Sequence, residues 1–220
     1  MKLAVNNIIL DFDSTIVGIE TLEVMIELSL VGRKDRKDIM FRIKEITDNA
    51  MNGNLPVEES FKLRFAELPI ERSTVDEVVE IAKKNICKTL LKNIAFFRKK
   101  NLYIVSNGFH EIIFPVADEL GIERTKVFAN QLVFNEYGFC TGINHTNPLA
   151  MREGKVRVVR SLKLTGKTLV IGDGYTDLEI KKAGAADYFF YYAEFVKRDK
   201  IHPFADKTCN NFNEIVELLQ

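Results

Sequence analysis

The hydrophobic positions along the chain change from a strand pattern to a helical pattern and then to alternating strands and helices. The short apolar run at residues 8–10, bounded by polar residues, is typical of a strand that is buried on both faces of a parallel sheet. From about residue 19 to residue 91, the apolar residues follow helical spacing instead. Beyond residue 102, strand-like and helical segments alternate as far as a final helix expected from Asn211. This pattern predicts an α/β fold, in which a small helical bundle is inserted after the first strand of a Rossmann-like parallel sheet.

The change of pattern also sets the expected domain boundaries. Residues 1–17 and 92–220 are expected to form the sheet domain, and residues 18–91 the helical cap. A chain of 220 residues suits one sizeable core with an inserted subdomain better than two equal domains. We therefore expect a single sheet domain whose sequence is interrupted by the cap.

Within the cap, helical periodicity predicts several amphipathic helices. One of them is expected to bury a face that runs from Val57 to Leu68. The next is expected to begin at Ser73, because Asp76 follows three residues later in the arrangement of a capping box. The cap is therefore predicted to be a small helical bundle.

Composition narrows the classes of function. The chain has 31 basic and 31 acidic side chains, so its formal charge of zero predicts no long-range attraction to a polyanion such as nucleic acid. No apolar stretch approaches the ~18 residues of a membrane span, and the first residues lack the features of a signal peptide. The cytoplasm is therefore the expected location. Cys87, Cys140 and Cys209 are widely spaced and are expected to be reduced and mostly structural.

Polar residues follow three of the predicted strands at the point where each strand ends. They are Asp11 and Asp13; Ser106, Asn107 and Gly108; and Asp173 and Asp177. Each cluster alone is more often a turn or a helix cap. Because ligands of parallel sheets bind beyond the carboxyl ends of the strands, three such clusters at equivalent ends favour a common site.

The residue types in these clusters favour phosphoryl transfer. Asp11 and Asp173 come from two strands and can share a hard cation such as Mg²⁺. An aspartate can attack phosphorus and form an aspartyl phosphate. Asp13 lies on the same side as Asp11 if the backbone stays extended, and it can protonate a leaving oxygen and later accept a proton from water. Ser106, the backbone amides that follow it and a lysine are expected to hold the phosphoryl oxygens.

Four segments of the sequence resemble the four motifs of the haloacid dehalogenase superfamily, and in particular of its phosphoserine phosphatases. They are "DFDSTIV", "IVSNGF", "REGK" and "GDGYTD", in this order. The resemblance covers nearly the whole chain and implies a magnesium-dependent phosphomonoesterase of serine biosynthesis with an aspartyl-phosphate intermediate. Its implied substrate is a small phosphorylated metabolite, first of all L-phosphoserine, which yields L-serine and phosphate.

The resemblance also implies a role for each matching residue. Those in the sheet domain are Asp11 as nucleophile and metal ligand; Asp13 as acid/base and, through its backbone carbonyl, metal ligand; Asp173 as the second metal carboxylate; Ser106, Asn107, Gly108 and Lys155 around the phosphoryl group; and Asp177 with Thr176 behind the metal ligands. In the cap, Glu20 and Arg64 stand where family members bind the substrate ammonium and carboxylate, and Met51 matches a cap methionine. Without the resemblance, Glu20 and Arg64 are typical of solvated helix faces.

Three positions depart from the family pattern. Asn107 replaces the first glycine of a Ser-Gly-Gly motif, Val57 replaces a cap phenylalanine, and Thr176 stands where many members have asparagine. The first two leave open an alternative, which is a phosphatase or phosphotransferase for another small amine or amino-acid phosphate. A non-enzymatic aspartyl-phosphate signalling module also needs clustered aspartates, a hydroxyl and a lysine, but the cap and the spacing of Asp11 and Asp13 argue against it.

Overall fold

The computed structural model describes residues 2–65 and 70–219 of the chain. Its strands are β1, Asn7–Leu10; β2, Asn101–Phe109; β3, Val127–Asn130; β4, Leu132–Phe134; β5, Cys140–Ile143; β6, Thr168–Gly172; β7, Tyr188–Tyr192; and β8, Lys207–Cys209. In this part of the chain, one six-stranded parallel sheet has the order β3–β2–β1–β6–β7–β8. Strands β4 and β5 form a separate antiparallel hairpin.

The helices surround this sheet or form the cap. They are α1, Thr21–Ser29; α2, Arg36–Met51; α3, Val57–Phe65; α4, Arg72–Lys84; α5, Lys88–Phe97; α6, His110–Glu119; α7, Gly154–Ser161; α8, Tyr175–Lys182; and α9, Phe212–Leu219. Ile9 of β1 belongs to an apolar layer with residues of α7 and α8, whereas Ile8 and Leu10 belong to a layer with residues of α5, α6 and α9. Because both faces of β1 are covered, its sequence is continuously apolar. The predicted fold class is confirmed.

The sheet register brings the predicted functional clusters to one edge. Leu10 at the end of β1 pairs with Ile104 of β2 on one side and with Ile171 of β6 on the other. The backbone N–H of Asp11 continues this ladder and donates to the Ile171 carbonyl at 3.0 Å. The segments that begin at Asp11, Val105 and Gly172 therefore start from the same level of the sheet. The expectation that Ser106, Asn107 and Gly108 follow the end of their strand is wrong, because β2 extends to Phe109, with a shift of register between Val105 and Phe109.

The cap is joined to the sheet domain by two adjacent chain segments. The N–H of Gly18 donates to the Asn85 carbonyl at 3.0 Å, and the N–H of Cys87 donates to the Ile16 carbonyl at 2.8 Å. Helices α1 to α4 lie between these segments. The boundary expected between residues 91 and 92 stays a prediction, and α5 runs across it.

The β4–β5 hairpin also contacts the cap. The N–H of Arg72 donates to the Gly138 carbonyl at 3.0 Å, and the N–H of Cys140 donates to the Ile70 carbonyl at 2.7 Å. The Arg72 guanidinium lies 4.1 Å from the centre of the Phe134 ring. The hairpin therefore holds the start of α4 through backbone pairing and a cation–π contact.

Two details of the sequence interpretation change. The capping box predicted at Ser73 is wrong, because α4 begins at Arg72 with Glu71 as its N-cap, and the Ser73 hydroxyl donates to the Glu71 carboxylate at 3.3 Å. The pairing of Glu71 with Phe139 of the hairpin fixes this earlier start. Helix α5 and the short strand β8 were not predicted. Leu68, which was expected to end the buried face that begins at Val57, lies outside the described residues.

Two expectations from composition can be compared with the structure. Cys87, Cys140 and Cys209 are free thiols in the described part of the chain, as expected. Among residues 2–65 and 70–219, each helix is too short or too polar to cross a lipid bilayer.

Candidate active site

Asp11 follows β1 directly and is almost fully buried, with 5% of its surface exposed. The Nζ of Lys155 lies 2.9 Å from Asp11 Oδ1, and the backbone N–H of Phe12 donates to the same oxygen at 2.7 Å. Among the described residues, both of these donors act on Oδ1. Oδ2 therefore keeps its lone pairs for an electrophile or a cation.

Asp13 lies beside Asp11 under the first turn of α1. Its Oδ1 accepts a hydrogen bond from the backbone N–H of Thr21 at 2.9 Å. The pKa of Asp13 is raised from its usual value of 3.8 to about 7, mainly by burial and to a smaller extent by the charges of Asp11 and Asp173, while the hydrogen bond from Thr21 opposes the change. A carboxyl group with such a pKa can both donate and accept a proton near neutral pH.

The last residues of β2 place a hydroxyl and two backbone amides beside the aspartates. Ser106 is buried, and its Oγ accepts a hydrogen bond from the N–H of Gly108 at 2.9 Å. A Cβ at Gly108 would lie 3.3 Å from Asp13 Oδ2, which is tighter than an ordinary contact. Glycine at this position therefore lets the backbone approach the aspartates closely.

Lys155 enters the site from the start of α7. Gly154 allows this approach, because a Cβ there would lie only 2.4 Å from the Pro148 carbonyl oxygen. Lys155 Nζ lies 2.9 Å from Asp11 Oδ1 and 2.8 Å from Asp177 Oδ1. Burial lowers the pKa of Lys155, but the two carboxylates outweigh burial and raise the pKa above its usual value, so the ammonium stays charged.

Three buried carboxylates fit a hard divalent cation. Oxygens of Asp11, Asp173 and Asp177 all lie within 4.8 Å of one another. Asp173 Oδ1 is buried and has no hydrogen-bond partner among the described residues. Burial raises the pKa of both Asp173 and Asp177, and a cation would offset this cost of keeping them ionised.

The three carboxylates are not equivalent. Asp177 already accepts hydrogen bonds at both oxygens, from Lys155 Nζ at 2.8 Å and from the Gly174 N–H at 3.2 Å. Asp11 and Asp173 each keep one oxygen without such a donor in the described residues. The division into two ligating carboxylates and a supporting Asp177 stays a prediction, and this difference in hydrogen bonding is what distinguishes Asp177 from the other two.

The cap contributes Glu20 and Arg64. The Ser14 hydroxyl donates to Glu20 Oε1 at 2.7 Å, and burial raises the pKa of Glu20 well above its usual value. Arg64 in α3 is buried, its guanidinium carbon lies 5.3 Å from the centre of the Phe61 ring, and burial lowers its pKa. No carboxylate of the described residues lies within 4 Å of the Arg64 guanidinium. The Nε of Arg64 donates to the Ser60 carbonyl of its own helix at 3.4 Å. The cap therefore presents a carboxyl group and an arginine that forms no ion pair within 4 Å in the described part of the chain.

One cavity joins these groups from the sheet domain and the cap. Its lining residues are Asp11, Asp13, Glu20, Leu22, Met51, Phe61, Arg64, Ser106, Asn107, Gly108, Phe109, Lys155 and Thr176. The Phe61 ring of the cap lies 6.0 Å from the Phe109 ring of the sheet domain, which is a tilted aromatic contact across the cavity wall. Of the predicted site residues, Asp173 and Asp177 lie outside this lining and belong to the carboxylate cluster behind it.

Arg198 is a site residue that sequence reasoning missed. It lies in the segment after β7 and is 5% exposed. Its Nε donates to Asp173 Oδ2 at 2.9 Å, its Nη1 donates to Asp48 Oδ1 of the cap at 3.3 Å, and its Nη2 lies 3.5 Å from Glu20 Oε1. Burial lowers the pKa of Arg198, but Asp173 and Glu20 outweigh burial and raise it. Arg198 therefore connects the cation site, the ammonium-binding candidate and the cap.

The fold and these groups define the class of protein. The site combines paired aspartates, the Ser106 hydroxyl and a buried lysine at the carboxyl edge of a parallel sheet, and a helical cap covers it. This arrangement is typical of a capped α/β enzyme for phosphoryl transfer. The chain belongs to the haloacid dehalogenase-like hydrolases, whose family profile matches residues 8–181. This membership confirms the predicted superfamily and the enzyme class of phosphoric monoester hydrolases.

Similar proteins cover both the sheet domain and the cap. The chain is 30% identical over 221 residues to the chloroplastic phosphoserine phosphatase of Arabidopsis thaliana. The alignment covers 98% of this chain and 72% of that protein. It is 28% identical over 215 residues to the human phosphoserine phosphatase, with 96% of this chain and 91% of that protein covered. A solved structure, of a phosphoserine phosphohydrolase-like protein from Francisella tularensis, has a TM-score of 0.89 and 26% identity, with 100% of both chains covered.

Proposed function

We propose that the protein is a magnesium-dependent phosphomonoesterase that hydrolyses L-phosphoserine to L-serine and phosphate. The observation that carries the proposal is the charge arrangement of one cavity. Asp11, Ser106 and Lys155 line its sheet side, and Glu20 and Arg64 line its cap side. L-Phosphoserine has a phosphoryl group for the first set and an ammonium and a carboxylate for the second. The proposal includes the cytoplasmic location expected from the sequence.

Asp11 performs the covalent step in this mechanism. Its Oδ2 attacks phosphorus, a P–O bond forms to the carboxylate, and the P–O bond to the serine oxygen breaks. Asp13 in its neutral form gives its proton to the departing serine oxygen. Ionised Asp13 then takes a proton from the attacking water, and the P–O bond to Asp11 breaks to release phosphate.

Charged and hydrogen-bonding groups of this chain hold the phosphoryl oxygens throughout. In the proposed complex, the Lys155 ammonium, the Ser106 hydroxyl and backbone N–H groups beside Ser106 contact these oxygens, which the burial of Lys155 and Ser106 in the cavity wall supports. The Asp11 and Asp173 carboxylates, with the Asp13 carbonyl, would hold Mg²⁺, and Asp177 would keep Lys155 in position. When bound, Mg²⁺ offsets the negative charge that carboxylates and phosphoryl oxygens bring together.

Glu20 and Arg64 determine substrate choice in this proposal. An ammonium beside Glu20 favours its ionised form and so counteracts the effect of burial on its pKa. Arg64 can grip a carboxylate through two parallel hydrogen bonds. A substrate that carries both groups therefore satisfies two buried side chains at once.

A phosphate-release screen tests the proposal directly. Phosphorylated amino acids, amines, sugars and nucleotides are compared in the presence of Mg²⁺, and L-phosphoserine is expected to give the highest kcat/KM. A sugar phosphate or nucleotide with a higher value would refute the assignment. A preference for a phosphorylated amine such as phosphoethanolamine would support the alternative substrate class, for which Glu20 is needed and Arg64 is not.

Removing either charged cap residue is expected to impair phosphoserine turnover selectively. A desolvated contact of this kind is worth roughly 1.5–3 kcal/mol, so Arg64→Ala and Glu20→Ala should each reduce kcat/KM for L-phosphoserine about 10- to 150-fold. Neither residue contacts phosphorus in the proposed complex. Hydrolysis of a small aryl phosphate, which lacks both charges, should therefore stay within a few-fold of the wild type.

The comparison of the two substrates is the control for this prediction. Lys62→Ala, which removes a cation from the exposed face of α3, should leave both activities near wild type. Equal losses of phosphoserine and aryl phosphate hydrolysis in Arg64→Ala would indicate general damage to the cap, and would count against a role in substrate recognition.

Stabilisation by Mg²⁺ is expected to grow as the pH rises. In the metal-free protein, the pKa of Asp13 is raised to about 7 and that of Asp173 is raised by burial, so the folded state retains protons that the unfolded state has lost. The stability that these protons provide is complete below about pH 4 and is lost as the pH rises to about 7. Mg²⁺ binds the ionised carboxylates and should therefore increase Tm more at about pH 8 than at about pH 5.

Thermal unfolding with Mg²⁺ or with a chelator measures this effect. Asp173→Asn, which retains the shape of the side chain without its titration, should show a much smaller increase in Tm with Mg²⁺ at either pH. An increase in the wild type that is equal at both pH values would contradict the assignment of the cation to these carboxylates.

A further inference from the structure

Asn107 replaces a glycine of the family motif, and the structure shows where its side chain lies. Asn107 lines the cavity between Ser106 and Gly108. Its Nδ2 donates to the Leu149 carbonyl at 2.8 Å. In the described chain, the non-glycine residues with positive φ are Ser14, Glu153 and Lys163, so the backbone at Asn107 does not need glycine.

A second asparagine completes the same network. The Nδ2 of the fully buried Asn130 donates to the Asn107 carbonyl at 2.9 Å and lies 3.3 Å from the Leu149 carbonyl, which it also contacts. The side chain and the backbone of Asn107 are therefore both tied to the end of β3 and to the segment around Leu149. A glycine at position 107 cannot make the side-chain bond.

The segment around Leu149 sets the position of Lys155. Asn147 Oδ1 accepts from the Leu149 N–H at 2.9 Å, and Asn147 Nδ2 donates to the Ala129 carbonyl at 2.7 Å. Gly154 packs directly on this segment, since a Cβ there would lie 2.7 Å from Leu149 Cα. Lys155 follows Gly154, so movement of Leu149 would move the start of α7.

We infer that Asn107 is a positioning residue for the phosphoryl group. Its carboxamide joins the backbone between Ser106 and Gly108 to the segment around Leu149, on which Gly154 and the start of α7 with Lys155 pack. It thereby fixes the groups that hold the phosphoryl oxygens relative to one another. This inference rests on the proposed function of the same site. It differs from substrate recognition by the cap, because Asn107 acts on the phosphoryl side through the Leu149 carbonyl.

Equilibrium binding of inorganic phosphate in the presence of Mg²⁺ tests the inference without a substrate. Asn107→Ala removes the bond and keeps ordinary backbone preferences, so phosphate affinity should fall about threefold to tenfold, the range for one neutral hydrogen bond. Asn107→Asp keeps the shape but turns a carboxylate oxygen towards the Leu149 carbonyl, so its loss should be larger. Affinity for L-serine, which binds on the cap side, should stay at the wild-type value in Asn107→Ala.

Asn93→Ala is the matched control. Asn93 Nδ2 donates at 2.8 Å both to the Thr89 carbonyl in α5 and to Asn213 Oδ1 in α9, away from the cavity lining, so this variant should bind phosphate as the wild type does. Coupling to Asn130 provides a second readout. If both asparagines act through the Leu149 carbonyl, the losses of phosphate affinity in Asn107→Ala and Asn130→Ala should not be additive in the double variant.

The results separate this inference from the proposed function. Unchanged phosphate affinity in Asn107→Ala overturns the inference, as do equal losses of phosphate and L-serine affinity, which would indicate general damage. Failure of the wild type to hydrolyse L-phosphoserine overturns the proposed substrate. A selective loss of phosphate affinity would then still support the positioning role, since inorganic phosphate carries no amino-acid part.

Discussion

Asp11→Asn is expected to abolish turnover while the fold and the binding of phosphate persist. The asparagine has nearly the same shape as the aspartate, and its carbonyl oxygen can still accept from the Phe12 N–H and from Lys155. A neutral carboxamide is a far weaker nucleophile than a carboxylate, so no P–O bond to residue 11 should form. Steady-state phosphate release measures the loss, and thermal unfolding with and without phosphate measures the fold and the binding.

Asp48→Asn provides the control for this substitution. Asp48 is an acidic residue of the cap whose side chain is 53% exposed, and it contacts Arg198 but does not line the cavity. Its activity should stay within a few-fold of the wild type. Acid quenching during turnover should trap a phosphorylated enzyme in the wild type and not in Asp11→Asn. Near-normal turnover in Asp11→Asn would rule out the covalent mechanism.

The sequence predicted the sheet part of the site well, because strand order and function are coupled in a parallel sheet. The apolar run before Asp11 and the polar clusters near the carboxyl ends of three strands were enough to predict that these residues converge, although the observed β2 extends through its cluster to Phe109. The choice of Lys155 depended on the family motif, because spacing alone does not distinguish Lys155 from the nearby Arg152 and Arg157. The role of Gly154 in bringing this lysine into the site became visible only through its contact with Pro148.

Residues whose roles depend on distant partners could not be predicted from the sequence. Arg198 lies in a polar segment and matches no quoted motif, and its hydrogen-bonded partners Asp173 and Asp48 are 25 and 150 positions away. The start of α4 was misplaced for a similar reason. Local capping chemistry favoured Ser73, whereas pairing with the distant hairpin set the observed start at Arg72.

Arg198 also explains how so many carboxylates can lie together in the folded chain. The charges of Asp11 and Asp173 raise the pKa of Asp13, and the charge of Asp11 raises the pKa of Asp173. The Arg198 guanidinium offsets part of this repulsion at Asp173, and the Lys155 ammonium does so at Asp11. The remaining excess of negative charge makes the site suitable for a divalent cation, as does Asp173 Oδ1, which accepts no hydrogen bond from the residues that the structure describes.

Asp13→Asn is expected to slow both chemical steps of phosphoserine hydrolysis. Burial raises the pKa of Asp13 to about 7, so the wild-type carboxyl group can be neutral when the serine oxygen leaves and ionised when water attacks. Asparagine can neither give nor take this proton. Formation of the phosphoenzyme and its hydrolysis should each slow by about 10²-fold or more, as measured separately by rapid quenching.

The leaving group distinguishes the two roles of Asp13. An aryl phosphate releases a weakly basic phenolate that needs little protonation, so Asp13→Asn should form the phosphoenzyme from it at nearly the wild-type rate. Hydrolysis of that phosphoenzyme should remain slow, because activation of water still requires the carboxylate. The variant should therefore release a burst of phenolate equivalent to the enzyme, followed by slow turnover. If the phosphoenzyme also forms at the wild-type rate from L-phosphoserine, Asp13 does not protonate the serine oxygen, and only its role in activating water stands.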